Sequence, residues 1–254
     1  MRYLIAILVF SLAVPTVFAS SLPDTIAAIR GGVVGVGLAY PPRQPNRKGD
    51  PVTFLATGFV VGDGLHVISN AHVVPKEIDT DNKQSLAVFS GRGANSRIHF
   101  ARVVRTDDQH DLVLLKIVGP ALPALTLGDS ETVREGQEVA FTGFPIGVVL
   151  GLYPATHRGI ISVITPIARP VETSRTLTAA QLKRMRDPFV TFQLDATAYP
   201  GNSGSPMFEP DTGRVIGVVN RVFIKETRES LLSKPSGISY AIPAVHVRNL
   251  LKGQ

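Results

Sequence analysis

The stretch Thr197-Ala-Tyr-Pro-Gly-Asn-Ser-Gly-Ser-Pro206 surrounds one serine, Ser203, with Gly201, Gly204 and two prolines. Glycine lets a backbone take turns closed to other residues and lets a second molecule come close. Proline fixes the flanks. The pattern predicts a tight loop that presents one hydroxyl, with backbone N–H groups turned outward. Acyl transfer needs that arrangement, a nucleophilic oxygen beside donors aimed at a developing oxyanion. Such a serine also needs a base and an acid to orient the base. Two stretches upstream offer them. In Val67-Ile-Ser-Asn-Ala-His72-Val-Val74 a histidine sits between apolar runs, beside the small Ala71. In His110-Asp111-Leu-Val-Leu-Leu-Lys-Ile117 an aspartate opens a strongly apolar run that reads as a strand.

The order His, Asp, Ser is one of those in which a nucleophilic triad occurs. Rival residues are weaker candidates. His66, His99, His157 and His246 read as ordinary surface or core residues. His110 neighbours Asp111, and adjacent strand residues face opposite ways, so it stays outside the triad. Asp107 and Asp108 lie in a polar turn, where exposed aspartates are common. Asp195 reads as structural support for the serine loop. An esterase of the α/β-hydrolase type would want Gly-x-Ser-x-Gly and a late histidine, whereas here Ser205 stands in place of the second glycine and the histidine of the motifs comes first.

Three motifs, Ile68-Ser-Asn-Ala-His72, Asp111-Leu-Val-Leu-Leu-Lys116 and Gly201-Asn-Ser-Gly-Ser-Pro206, resemble the active-site motifs of trypsin-like serine proteases, above all the bacterial HtrA/Deg branch. Thr57-Gly-Phe-Val-Val61, Leu127-Gly-Asp-Ser130, Arg158-Gly-Ile-Ile-Ser162, Gln193-Leu-Asp-Ala196 and Ile238-Ser-Tyr-Ala-Ile-Pro243 are similar to that branch too, so the resemblance runs from about Val33 to Leu251. It implies an all-β fold of two antiparallel six-stranded β-barrels with the active site between them and a short C-terminal helix. It also implies a serine endopeptidase working through an acyl-enzyme. Carried over residue by residue, Ser203 is the nucleophile, His72 the base and Asp111 the orienting acid, while the N–H groups of Gly201 and Ser203 form the oxyanion hole. No cofactor or metal is implied.

Ser205 departs from the family's commonest loop, which has a second glycine there. In trypsin-like enzymes the base of the primary substrate pocket lies six positions before the serine, here Thr197. It carries no negative charge, which disfavours Arg or Lys in the substrate. Val218, Val219 and Asn220 are expected to form a pocket wall, with Arg221 beyond. A small or medium aliphatic side chain fits best, and Arg221 leaves an acidic one open. HtrA proteases usually carry a PDZ domain; none is read in this chain. The competing function class is a binding protein that keeps the protease fold without catalysis. A pure binder has no need of an intact His72, Asp111 and Ser203.

The chain has 254 residues, 44% of them hydrophobic, with Gly 23 and Pro 19, which suits many short strands and turns. No cysteine is present, which excludes a disulfide framework, a thiol nucleophile and a cysteine-based zinc site. The formal net charge of +6 comes from scattered basic residues, with one small cluster at Lys183-Arg184-Met-Arg186. Scattered charge does not point to nucleic acid, and the resemblance implies a protein or peptide substrate. Either a monomer or a homo-trimer is open. Met1 to Ala19 reads as a secretion signal: Arg2, an apolar Leu4 to Leu12, and a small-residue site at Val17-Phe-Ala19. The expectation is export to the periplasm or outside the cell, with no stable membrane span once the signal is cleaved.

The elements that must position these groups follow from pattern. Ser21 to Arg30 predicts a brief helix. Gly31 to Tyr40, Val52 to Val61, Leu65 to Ser69, Leu86 to Ser90, Ile98 to Thr106 and Leu112 to Val118 predict strands of a first barrel at about 31–120. Gly62-Asp-Gly64 marks a hairpin. A crossing at 119–135 leads to a second barrel at about 131–245. Its strands are Gln137 to Phe144, Ala155 to Ile164, Val190 to Asp195, Val215 to Phe223 and Ser239 to Ile242. Val245 to Leu251 predicts a helix with Val247, Leu250 and Leu251 on one face. An insertion at about 171–188, including Thr178 to Asp187, favours helix and reads as a surface excursion.

Overall fold

A computed structural model describes residues 20–41, 51–145, 152–166, 188–220 and 237–253. The expected leader at 1–19, residues 42–50, nearly all of the insertion expected at about 171–188, and Arg221 lie outside them. The chain opens with helix α1 (Leu22–Ile29) and then forms strands β1 (Val33–Ala39), β2 (Val52–Val61), β3 (His66–Asn70), β4 (Ser85–Ser90), β5 (Arg97–Asp107) and β6 (Leu112–Ile117). These close into one antiparallel barrel in the order β1-β2-β3-β6-β5-β4. A second closed barrel, β10-β11-β12-β9-β8-β7, is built from β7 (Glu138–Gly143), β8 (Ala155–Pro166), β9 (Val190–Asp195), β10 (Pro206–Phe208), β11 (Val215–Asn220) and β12 (Ile238–Pro243). Helix α2 (Ala244–Lys252) ends the chain.

The strands predicted from pattern are present, and one more was not predicted. Strand β10 has only three residues and starts on a proline, too short for alternation to show. It nevertheless closes the second barrel by pairing with both β7 and β11.

Alternation explains how the halves meet. On β6, Val113 and Leu115 point into the first barrel with Val36, Val60 and Val88. The intervening Leu112 and Leu114 point outward, into a cluster with Phe59, Ile68, Phe144, Val218 and Ile242. That cluster draws on both barrels and on Val247 and Leu250 of α2, so it is the seam between them. A strand buried on both faces reads as a continuous apolar run, as the stretch after Asp111 does. Helix α2 is fastened at each end. Ser130 Oγ accepts the Val245 N–H at 2.9 Å, and Arg105 Nη1 donates to the Leu250 carbonyl at 3.0 Å. These partners take up helix-end groups that have none within the helix.

Candidate active site

Strands β3 and β6 pair with Asn70 opposite Leu112. This antiparallel register sets the residues just after β3 beside the residue just before β6. His72 is in a short 3-10 turn, Ala71–Val73, that leaves β3, and Asp111 immediately precedes β6. His72 Nδ1 lies 2.7 Å from Asp111 Oδ2, and the His72 backbone N–H donates to Asp111 Oδ1 at 2.9 Å. One carboxylate thus holds its histidine by ring and by main chain.

Asp111 adopts φ +55, a left-handed conformation that costs a non-glycine residue about 1–2 kcal/mol. Short polar residues tolerate it best. Its carbonyl is fixed by the Ala71 N–H at 3.0 Å and by Asn70 Nδ2 at 3.1 Å. Burial alone raises the Asp111 carboxyl. Hydrogen bonding and charge from His72, together with the Asn220 amide, outweigh burial and hold it below its ordinary value.

Asn220, expected as part of the pocket wall, is fully buried, and its Nδ2 donates to Asp111 Oδ2 at 2.7 Å. The amide lies at the end of β11, so the second barrel reaches across the seam to brace an acid of the first. Val219 is also fully buried, packed in the second-barrel core beside Phe141 and Met207. Thr197 is half-buried before the serine turn. Asp195 is exposed at the end of β9.

The serine loop belongs to the second barrel. Gly201 and Gly204 take φ +97 and +84, as the turn requires. Ser203 is 8% exposed. Two routes tie it to the His–Asp pair. The Gly204 N–H donates to the Val219 carbonyl at 2.9 Å, one residue from Asn220. On the other side, the Thr57 N–H donates to the Ser203 carbonyl at 2.9 Å, and Ser69 Oγ, three residues before His72, donates to the Thr57 carbonyl at 2.6 Å. Among the described residues the Ser203 hydroxyl makes no hydrogen bond to His72, and no acceptor takes the N–H of Gly201 or Ser203. Contacts between nucleophile and base are often long without substrate.

Two polar side chains behind the loop are notable. Asn202 and Ser205 are fully buried, and neither side chain has a hydrogen-bond partner among the described residues. Ser205 fits only because residue 143 is glycine, where any Cβ would collide with Ser205 Oγ.

His110 turns away from Asp111, though both lie in the turn between β5 and β6 and not on a strand, so alternation is not the reason. Its Nδ1 lies 2.6 Å from Asp107 Oδ2, and its ring stacks on His246 of α2 with centroids 3.7 Å apart. Phe189 meets the His110 ring edge-on at 4.7 Å. This second Asp–His pair was read from sequence as two unrelated residues; the spacing Asp-x-x-His in a turn was its only signal. Burial first, then the neighbouring His110, push His246 down to about 4 against the opposing pull of Asp107.

Among the described residues no group of three metal-ligating side chains occurs, and no helix is long and apolar enough to cross a membrane.

Known proteins share this architecture and sequence. A probable periplasmic serine endoprotease, DegP-like, from Halomonas elongata is 32% identical over 223 residues, covering 87% of this chain and 39% of the relative. A DegP-like protein of the same description from Pseudomonas putida is 32% identical over 219 residues, covering 83% of this chain and 38% of the relative. The chain therefore spans about two fifths of the length of the curated relatives it matches. A solved structure described as HtrA-type protease AlgW with decapeptide superposes with a TM-score of 0.63 at 22% identity, covering 91% of this chain and 66% of that one. Residues 56–218 match the trypsin-like peptidase domain, a span that takes in His72, Asp111 and Ser203, and the chain belongs to that family.

Proposed function

We propose that this chain is a serine endopeptidase. The observation that carries the reading is the grip of Asp111 on His72, through Nδ1 at 2.7 Å and the main-chain N–H at 2.9 Å. A carboxylate on Nδ1 leaves Nε2 unprotonated and able to take a proton from Ser203. The Ser203 oxygen attacks the peptide carbonyl carbon as its proton passes to His72. The carbonyl oxygen becomes an oxyanion, and the unpaired N–H groups of Gly201 and Ser203 receive it. Collapse breaks the C–N bond, with the His72 proton going to the leaving amine. Water, deprotonated by His72, then hydrolyses the acyl-Ser203 ester. Asp111 stays ionised and stabilises the imidazolium.

The substrate is a protein or peptide. Thr197 at the pocket base gives a basic side chain no counter-charge, and Val219 and Arg221 are the remaining candidate pocket residues. The DegP-like relatives are named as periplasmic, and Met1 to Ala19 has the features of a secretion signal. Export to the periplasm follows from these together, and a role in protein processing or quality control suits a protease there.

The test is labelling of the purified chain with a fluorophosphonate probe, beside Ser203→Ala and His72→Ala. Labelling of the parent and of neither variant is expected. Equal labelling of parent and Ser203→Ala rejects the nucleophile. No labelling of a folded parent favours a binding protein on a protease scaffold.

A further inference from the structure

We infer that Thr57, on the first barrel, is a positioning residue for the oxyanion donors on the second; the inference rests on the protease reading above. Thr57 is fully buried and lies on β2, opposite Gly35 of β1. Among the described residues four hydrogen bonds tie it in place, three of them across the seam. Its N–H donates to the Ser203 carbonyl at 2.9 Å. Its Oγ1 donates to the Gly201 carbonyl at 2.7 Å and accepts the Phe144 N–H at 3.0 Å. Its carbonyl accepts Ser69 Oγ at 2.6 Å.

The consequence follows from peptide planarity. In a trans peptide the C=O and the N–H of one plane point in opposite directions, so fixing either fixes both. The plane joining Gly201 to Asn202 has its carbonyl on Thr57 Oγ1 and its N–H on the Tyr199 carbonyl at 3.0 Å. The plane joining Ser203 to Gly204 has its carbonyl on the Thr57 N–H and its N–H on the Val219 carbonyl, both at 2.9 Å. Between them, the Asn202 carbonyl turns to the Ser205 N–H at 3.0 Å, which leaves the Ser203 N–H facing the opposite way with no acceptor among the described residues. Thr57 therefore clamps the planes on both sides of the donor. Gly201 has no side chain to resist rotation, and it sits at φ +97, in a region open to glycine and strained for other residues. Among the described residues the Thr57 hydroxyl alone holds its carbonyl. Without that bond the 201–202 plane keeps only the Tyr199 contact on its N–H, and the looser rotation at Gly201 lets the neighbouring Gly201 N–H drift off its aim.

Gly204 shows how close the clamp is. A Cβ there would collide with the Thr57 carbonyl and with Ser69 Oγ.

The discriminating substitution is Thr57→Val, which keeps the shape and both main-chain bonds but removes the hydroxyl. Thr57→Ser keeps the hydroxyl and loses a methyl. The readouts are the second-order rate of fluorophosphonate labelling and the kcat and KM for cleavage of labelled casein. For Thr57→Val we expect labelling and kcat to fall about 10- to 100-fold, the scale of losing an oxyanion donor's aim, with KM within about threefold. Thr57→Ser should return both rates to within about threefold of the parent, because the interaction that matters is retained. Should Thr57→Val not fold, Thr57→Ala, which leaves space for water to reach the Phe144 N–H, carries the same expectation. Parent-like labelling by a folded Thr57→Val or Thr57→Ala overturns the inference and leaves the protease reading standing. Equal losses in Thr57→Ser and Thr57→Val also overturn it, since packing would then be the cause. A folded parent that takes no label rejects both.

Discussion

Acid should destabilise this fold in part through one imidazole. His246 is held against His110 and Phe189, and its pKa falls from an ordinary 6.5 to about 4. The unfolded chain therefore binds a proton at a pH where the folded chain does not. Stability from this group is fully present above 6.5 and is lost as pH falls through 4. At about 1.4 kcal/mol per tenfold difference in proton affinity, the ceiling is about 3 kcal/mol. The ring is only partly buried, and solvent screening brings the expectation to about 1–2 kcal/mol. The perturbation is His246→Phe, which keeps an aromatic ring against His110 and Phe189 but cannot take a proton. The assay is urea unfolding of parent and variant at about pH 7.5 and about pH 4. Both proteins will lose stability, because Asp107 and Asp111 are held below their ordinary values and also protonate. The parent should lose about 1–2 kcal/mol more than the variant. Equal losses would show that the stacked pair does not hold His246 neutral, and the linkage argument would fail.

Further outcomes can be checked alongside. Gly204→Ala combines a left-handed φ of +84 with a collision against the Thr57 carbonyl, so it should abolish fluorophosphonate labelling and lower stability by about 1–3 kcal/mol in the same urea assay. Ser205→Ala removes a buried hydroxyl without a described partner. It should raise the urea midpoint by the equivalent of about 1 kcal/mol with an unchanged slope, while labelling persists. Asn220→Ala takes a charge-assisted bond from Asp111 and should cost about 1.5–3 kcal/mol; a midpoint within error of the parent would show the amide contributes nothing.

The strands and the His–Asp pair were legible for different reasons. Leu112 to Ile117 announced a strand because both its faces are buried, one in a barrel and one in the seam. His72 and Asp111 stood out because each adjoins the end of such a strand, and antiparallel pairing brings those ends together. Strand β10 was missed because three residues carry no period. The bond from Asn220 to Asp111 was not legible, because the two are 109 residues apart and pattern along the chain does not say which way an amide turns. Thr57 was noticed only as part of a matching stretch. Its four bonds go to partners that include residues 69, 144, 201 and 203, and nothing local to a threonine reveals such partners. The left-handed backbone of Asp111 was equally hidden, since its supports come from Asn70 and Ala71.

Each sheet curls round and joins its own first strand, so neither half lends the other a strand. What unites them is a greasy joint with a few polar clasps, Thr57 and Asn220 among them. Reactivity is thus a property of alignment between two self-sufficient shells. A molecule that wedged the joint open by a fraction of a water's width would silence the proposed peptidase with both shells intact. An inhibitor of that kind need never enter the cleft.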